Sequence, residues 1–363
     1  MSTSAILGIM VCHVRDHLFN EKNYYRFLQK LGNKYNLLVY VFYPNNLDWA
    51  RKQVKGFNYN TSLKKWELKW FPMPDYVYDR CFYTSKQAYA KYKPYVTKIR
   101  QAEKIKFLGI GLKGKWEVHQ ILSGEKNLSQ HLLPTAKFST ETFRQWIENF
   151  PIVIKPLGGS HGIGVVKISK ENEQYKIIGR NFANKSISAA FHQQGSLLKW
   201  VEKFIQRKNY LIQQYADLTT SSNQPYDIRI LIQKNQQGEW EITGMAARLG
   251  HSSSITSNLH GGGGAKPVEV LLEKEFGELK TAELISQLKK LAKNVPPVIE
   301  AAHGRLFEIG LDIGIDRKGN LWIIEANSKP GRQVFTLLKD TDKRRKALSQ
   351  PIFYTLYLRR GHK

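Results

Sequence analysis

The chain of 363 residues is 42% hydrophobic and 24% charged, which is typical of a globular protein and excludes an intrinsically disordered one. Its 56 lysines and arginines outnumber 30 aspartates and glutamates, and the formal net charge of +26 indicates an anionic partner. Two cysteines, Cys12 and Cys81, are too few for a disulfide scaffold or a cysteine-rich zinc module, and we expect both to be reduced thiols.

The N-terminal sequence and the lengths of the apolar stretches argue against a secreted and a membrane-spanning protein. No basic leader precedes the short N-terminal apolar run, so we expect no secretory signal. The sequence lacks an uncharged apolar stretch of about 18 residues, so we also expect no transmembrane helix. Basic residues are spread along the chain, and the densest stretches are Arg80–Lys115, with ten, and Arg332–Lys363, with nine.

The first 110 residues alternate between apolar runs and amphipathic stretches, which predicts an α/β domain. We expect its strands at Ile6–Val14, Leu37–Tyr43, Trp66–Phe71 and Tyr76–Asp79. We expect its helices at Asn20–Leu31 and Thr84–Ile99.

The rest of the chain predicts a second α/β region with two hairpins and a mainly helical end. We expect its helices at Lys115–Leu122, Phe143–Asn149, Leu197–Phe204, Leu279–Lys293 and Ile299–Ile309. We expect single strands at Ile152–Pro156, Val165–Ile168, Tyr175–Ile178 and Tyr210–Tyr215. We expect the hairpins to pair Ile228–Gln233 with Trp240–Arg248, and Leu311–Asp316 with Leu321–Glu325.

A glycine-rich loop follows the strand that ends at Lys155 and Pro156. Such a loop lets backbone N–H groups approach phosphate oxygens closely, and the neighbouring lysine supplies a positive charge. A hairpin turn without a ligand is the alternative, and the loop is not a Walker A motif, because no Gly-Lys-Ser/Thr opens a helix. Its small residues are Gly158, Gly159, Ser160, Gly162 and Gly164.

Three oxygen-bearing residues suggest a metal site near the last hairpin. Glu325 and Asn327 share one strand face, and pairing of the two strands can bring Asp312 beside them. Carboxylate and amide oxygens suit Mg²⁺, whereas a pair of exposed strand carboxylates is the alternative. Asp227 and Arg229 also share a strand face, either at a site or as a surface ion pair. The four glycines in Ser257–Gly264 indicate a flexible lid or a close approach of the backbone to a ligand, with a surface loop without function as the alternative.

In this order, the features resemble the ATP-grasp superfamily. Gly158–Val166 resembles the phosphate loop of RimK-type ligases, and Glu325–Gly331 resembles the metal-binding strand that these share with D-alanine–D-alanine ligases. Leu7–Ile9, Lys115–Trp116 ahead of Leu132–Thr135, and the sequence EANSKPGR are similar to the YheC/YheD family of endospore coat-associated ATP-grasp proteins.

The resemblance implies an α/β (α+β) chain with the ATP-grasp fold. It places a pre-ATP-grasp domain at residues 1–110 and the ATP-grasp domain at 111–335, with a lid subdomain at about 136–215. Residues 336–363 form a basic helical segment.

The resemblance also implies an ATP site. Lys115, with Lys113 as the fallback, and Lys155 would contact the nucleotide, and the glycine-rich loop would cover its β- and γ-phosphates. Asp227 would bind the ribose. The hinge that reads adenine through its backbone would be Gln213, Gln214, Tyr215 and Ala216, where glutamate is more usual than glutamine.

The implied catalytic residues surround two Mg²⁺ ions, with Mn²⁺ as a substitute, held by Asp312, Glu325 and Asn327. Arg248 would hold the γ-phosphate or an acyl-phosphate, and Asn258 would approach the acceptor. D-alanine ligases place an arginine where this chain has Gly310, so we expect Arg229 or Arg248 to take that role. No role is expected for His192, His251, His260 or His303.

The implied activity is an ATP- and Mg²⁺-dependent carboxylate–amine ligase that works through an acyl-phosphate. Its substrate would be an amino acid, a peptide or an acidic polymer, and its location the bacterial cytoplasm or the spore coat. The alternative is a nucleotide-binding coat protein without turnover. A nucleic-acid binder is suggested by charge alone, and no recognised nucleic-acid motif supports it.

Overall fold

The computed structural model describes residues 5–14, 17–83, 85–159, 162–251, 264–332, 334, 335, 338 and 340–361. These residues form three β-sheets backed by helices, which confirms the predicted mixed α and β architecture. Each sheet has its own hydrophobic core. No helix within these ranges is long and apolar enough to span a membrane.

The first sheet has the strand order β4-β3-β2-β1-β5-β6. Its strands are β1 (Ala5–Met10), β2 (Leu37–Asp48), β3 (Gln53–Asn60), β4 (Lys65–Pro72), β5 (Tyr76–Asp79) and β6 (Lys106–Phe107). Strands β1, β2, β5 and β6 are parallel, and β3 and β4 extend one edge antiparallel. Parallel strands are buried on both faces, which explains why β1 is apolar along its whole length.

Helices cover both faces of the first sheet. On one face, Leu7 and Ile9 pack with α1 (Lys22–Lys34) and with the C-terminal helix α9 (Thr341–Arg360). On the other face, Met10 packs with α2 (Lys86–Gln101). Both cysteines are free, as predicted, and lie buried in the core beneath α2, where burial raises the pKa of the Cys81 thiol.

The second sheet is antiparallel, in the order β11-β10-β9-β8-β12-β7. Its strands are β7 (Thr135–Lys137), β8 (Ile152–Pro156), β9 (Val166–Glu171), β10 (Gln174–Arg180), β11 (Ser186–Phe191) and β12 (Tyr210–Gln214). Helices α5 (Thr140–Asn149) and α6 (Gln194–Ile205) bury their apolar stripes on one face of it.

The third sheet is also antiparallel, in the order β15-β14-β13-β16-β17. Its strands are β13 (Tyr226–Lys234), β14 (Trp240–Leu249), β15 (Gly264–Lys266), β16 (Glu308–Ile315) and β17 (Leu321–Asn327). One face packs against α3 (Lys115–Ser123), α4 (Lys126–Ser129), α7 (Val268–Phe276) and α8 (Glu278–His303). The other face is covered by Phe335, which precedes α9, and by Ala347 of α9. Helix α9 therefore contacts both the first and the third sheet.

Both predicted hairpins are confirmed, but the predicted helix over Ile299–Ile309 is wrong in its second half. Helix α8 passes through Pro296–Pro297 and ends at His303, because Gly304 adopts a φ of 98°. Strand β16 begins at Glu308 and is buried along its whole length. Strands β3 and β11 and helix α7 were not predicted. The predicted domain boundaries stay predictions.

Candidate active site

A cavity of about 750 Å³ opens between the second and third sheets. Its lining brings together most of the residues that the sequence singled out: Lys113, Lys115, Lys155, Gly162, Gln213, Gln214, Tyr215, Ala216, Asp227, Arg248, Asp312, Glu325 and Asn327. Gly158, Gly159, Gly164 and Arg229 do not line it, and Ser160 and Asn258 lie outside the described residues. The roles of these residues remain predictions.

Lys155 projects from β8 toward the hinge strand β12. Its Nζ donates a hydrogen bond to Gln213 Oε1 at 2.8 Å, and Gln213 Nε2 donates to Thr135 Oγ1, also at 2.8 Å. A glutamate at position 213 would neutralise this lysine, whereas glutamine leaves the positive charge free to meet a phosphate. Burial, with a smaller repulsion from Lys115, lowers the pKa of Lys155 to about 8, although Glu325 opposes the shift.

We expect nucleotide affinity to fall as pH rises through this pKa. Lys155 is charged below about pH 8 and neutral above it, and a phosphate group binds the charged form. At pH 9 the charged fraction has dropped to roughly one tenth, so binding of metal-free ADP should weaken up to about tenfold relative to pH 7. Calorimetric titration at both pH values, with EDTA present, measures this.

The matched control is Lys155→Arg, because a guanidinium stays charged over the whole range. In that variant the affinity for ADP should change much less between pH 7 and pH 9. An equal loss of affinity in both proteins would show that another group titrates.

Lys115 reaches the opposite wall of the cavity from the first turn of α3. Its Nζ lies 3.4 Å from Glu325 Oε1 on β17, and both side chains are partly exposed. This loose contact can be replaced by two others: an anion can take the place of Glu325 beside Lys115, and a cation can take the place of Lys115 beside Glu325.

Two carboxylates and two guanidiniums alternate across three strands of the third sheet. Strand pairing sets Asp227 opposite Arg248 and Arg229 opposite Asp312. Arg248 Nε and Nη2 each lie 2.6 Å from Asp227, and Nη2 also lies 2.9 Å from Asp312 Oδ2. Arg229 holds Asp312 through both carboxylate oxygens, at 2.5 and 3.0 Å. The surface pair considered for Asp227 and Arg229 is thus replaced by two buried cross-strand pairs.

The arginines keep Asp312 ionised. Burial would raise its pKa, but Arg229 and Arg248 outweigh that effect and hold the pKa below its usual value. The same carboxylates hold the pKa of Arg248 above its usual value despite burial. Arg229 also occupies the space beside Gly310, since a Cβ there would lie 3.6 Å from Arg229 Nη1. Arg229 thus lies next to Gly310, but Arg248 and not Arg229 lines the cavity, so which of them takes the role that Gly310 leaves open stays a prediction.

The oxygen donors of the cavity wall fit a hydrated Mg²⁺ that arrives with phosphates. Asp312 and Glu325 are paired positions of β16 and β17, and Asn327 follows on the same strand. Mg²⁺ binds through one or two carboxylates and otherwise through water and phosphate oxygens. In the described part of the chain, no three acidic, histidine or cysteine side chains converge into a complete cage. The site suits a metal–nucleotide complex better than a bare ion.

The described part of the glycine-rich loop has a backbone that requires glycine. Gly159, Gly162 and Gly164 have φ angles of 130°, 74° and 72°. The loop is anchored where Tyr210 Oη donates to the carbonyl of Gly164 at 3.1 Å. Gly162 therefore presents its backbone to the cavity without a side chain in the way.

Sequence reasoning missed several polar residues of the lining, among them Lys167, His119 and Ser328. Lys167 of β9 lies over the ring of Tyr215, 4.0 Å from its centroid, and adds a second lysine to the side of the cavity that carries Lys155. His119 also faces the cavity, and burial, with the charge of Lys155, lowers its pKa. Ser328 accepts a hydrogen bond from the N–H of Leu112 at 2.9 Å. Only Lys167 could have been found from the sequence, because a lysine inside the apolar run Val165–Ile168 is unusual.

The apolar part of the lining suits a planar ring next to the hinge. It includes Leu112, Val118, Leu122, Leu132, Leu133, Val153, Ile178, Leu211 and Ile323. An aromatic base bound there would lie beside the backbone of the hinge, with the lysines and the acidic wall farther along the cavity.

Comparison with known proteins gives the family. Residues 104–358 match the family described as YheC/D like ATP-grasp. The chain is 30% identical to the endospore coat-associated protein YheC of Bacillus subtilis (strain 168) over 319 residues, 86% of each chain. It is 27% identical to YheD of the same organism over 303 residues, 82% of this chain and 65% of that protein.

Solved structures confirm the fold. D-cycloserine synthetase DcsG superimposes with a TM-score of 0.55 at 11% identity, over 96% of this chain and all of that one (100%). D-alanyl-alanine synthetase A from Vibrio cholerae O1 gives 0.51 at 10% identity, over 98% of this chain and 99% of that one. These likenesses extend over the N-terminal sheet as well as the part that matches the family. The chain has the ATP-grasp fold and belongs to the YheC/D-like ATP-grasp family.

Proposed function

We propose that this protein is an ATP- and Mg²⁺-dependent ligase that joins a carboxylate to an amine. The observation that carries the proposal is the cavity itself, whose lining combines four lysines and Arg248 with the carboxylates of Asp227, Asp312 and Glu325. That arrangement supplies positive charge for phosphates and hard oxygens for the accompanying metal.

The reaction has two steps. The substrate carboxylate attacks the γ-phosphorus of ATP, ADP leaves, and an acyl-phosphate forms. The amine then attacks the acyl carbon, phosphate leaves, and the amine gives up a proton as the amide forms. Mg²⁺ bound with ATP would withdraw charge from the phosphates.

The protein's own residues position these groups. Lys155 and Lys115 would hold the phosphate chain, and Arg248 would stabilise charge on the transferred group. Glu325 and Asp312, with Asn327, would hold Mg²⁺ to the phosphates. The hinge Gln213–Ala216 and its apolar surroundings would fix the base, and Asp227 would reach the ribose.

A screen for ADP release, with mass detection of products, tests the proposal. Amino acids, peptides and acidic polymers would be offered as carboxylates, each with and without an amine. We expect ADP release that requires a carboxylate and an amide product whose mass equals the two substrates less water. ATP hydrolysis that no carboxylate stimulates would contradict the proposal.

A second candidate is a nucleotide-binding coat protein without turnover. Two features favour it: both oxygens of Asp312 are already bound by arginines, and both curated relatives are named as endospore coat-associated. ATP binding with Mg²⁺ but no ADP release with any carboxylate would support this candidate. The names of the relatives are also the basis for proposing a spore-coat location in addition to the bacterial cytoplasm.

A further inference from the structure

Helix α2 presents a basic and aromatic surface to solvent. Its apolar side chains Tyr92, Val96 and Ile99 are buried against the first sheet. The opposite side, here named the α2 surface, consists of Lys86, Tyr89, Lys91, Lys93, Tyr95 and Lys98, all of them exposed. Tyr89 and Tyr95 keep 47% and 46% of their area accessible, so these rings contribute little to the core.

The charge of the α2 surface is not balanced locally. None of its four lysines has an ion-pair partner within the described ranges, whereas Arg80, Arg100 and Lys115 of the same basic stretch each have one. The first turn contains no acidic residue, and Lys86 opposes the positive end of the helix dipole. Lys86 thus opposes the helix dipole and Lys98, in the last turn, complements it, so the dipole alone does not explain four exposed lysines on one helix, whereas an anionic partner does.

The α2 surface begins beside the loop that follows the acidic wall. Lys329 comes two residues after Asn327, and its Nζ donates to Asp79 Oδ1 at 2.7 Å and to the carbonyl of Cys81 at 2.9 Å. It also lies 5.8 Å from the centroid of the Tyr83 ring, just ahead of α2. Ser328, next to Lys329, lines the cavity. Ser328 and Lys329 therefore link the lining of the cavity to the segment that leads into α2.

We propose that the α2 surface docks an acidic polypeptide, rich in aspartate or glutamate, whose reacting carboxylate enters the cavity. This inference rests on the proposed ligase function and specifies its substrate class. A polymer of carboxylates matches both the unpaired lysines and the chemistry of the neighbouring site, whereas a nucleic acid offers no carboxylate to activate. Lysine ammonium groups and tyrosine rings also suit a flexible chain without a fixed phosphate geometry.

Fluorescence polarisation with labelled decaglutamate, without nucleotide, tests the docking. The variant carries Lys91→Glu, Lys93→Glu and Lys98→Glu, which leave the buried face of α2 intact. The control carries Lys289→Glu, Lys290→Glu and Lys293→Glu on exposed positions of α8, with the same change in net charge. We expect the α2 variant to bind at least about tenfold more weakly, and the control to stay within about twofold of wild type.

Three results would overturn the docking proposal. These are no binding of decaglutamate by the wild type, equal losses in the two variants, or tighter binding of a single-stranded DNA decamer than of decaglutamate. Circular dichroism and thermal unfolding would show that both variants fold.

The same assay separates docking from catalysis. Selective binding with no ADP release from any carboxylate would overturn the ligase proposal and leave the docking surface standing. ADP release from an acidic peptide that is unchanged in the α2 variant would overturn the docking and leave the ligase.

Discussion

Replacing Lys155 or Glu325 by alanine is expected to lower the rate of ADP release at least about 100-fold. Lys155 would lose the charge that meets the phosphates, and Glu325 would lose a metal-binding oxygen at the acidic wall. Folding should be little affected, because the partner of Lys155 is the neutral Gln213 and the contact of Glu325 with Lys115 is loose, at 3.4 Å. A coupled assay of ADP, with a carboxylate and amine that the wild type accepts, gives the rates.

An exposed pair of the same residue types provides the control. Glu171 and Lys176 form an ion pair at 2.9 Å on the β9–β10 hairpin, and both side chains are about half exposed. Glu171→Ala and Lys176→Ala should release ADP at the wild-type rate. Wild-type activity in both Lys155→Ala and Glu325→Ala would overturn the assignment of the site.

Most of the fold could be predicted because short-range patterns determine it. Tyr76–Asp79 and Ile152–Pro156 are strands with the predicted bounds, since each is an apolar run closed by a turn or a proline. The glycine in β3 and the exposed alternate residues of β11 hid those strands. Helix α8 was divided wrongly at its prolines, because burial on the third sheet overrides the local helix-breaking tendency.

Site residues that belong to a sequence motif could be predicted. Contacts that depend on how distant strands pair could not. Lys155, Glu325 and Asn327 follow from their motifs and line the cavity. That Arg229 pairs with Asp312 rather than with Asp227 depends on strand register, which the sequence alone does not give. The excess of positive charge also has two parts. Four lysines and Arg248 line the cavity, and the α2 surface, which we propose as a docking site, carries four more lysines.

A buried ion-pair network joins the first sheet to the third, with Glu308 of β16 at its centre. Glu308 Oε1 accepts from Tyr78 at 2.7 Å and from Arg80 at 3.2 Å, and Oε2 accepts from Gln233 at 3.0 Å and from Arg332. Arg80 also pairs with Glu21 of the N-terminal region at 2.7 Å. Both arginines and Glu308 are almost fully buried, so each charge depends on the others.

Glu308→Gln is therefore expected to destabilise the protein by about 3 kcal/mol or more, because it leaves Arg80 and Arg332 with one carboxylate too few in a buried site. Urea unfolding, followed by circular dichroism, measures the change. The matched control is Glu241→Gln, which removes the charge of a partly exposed pair with Lys346 at 2.6 Å and should cost less than about 1 kcal/mol. Equal losses in the two variants would mean that the network contributes no more than a surface ion pair, and that apolar packing of α9 holds the two sheets together.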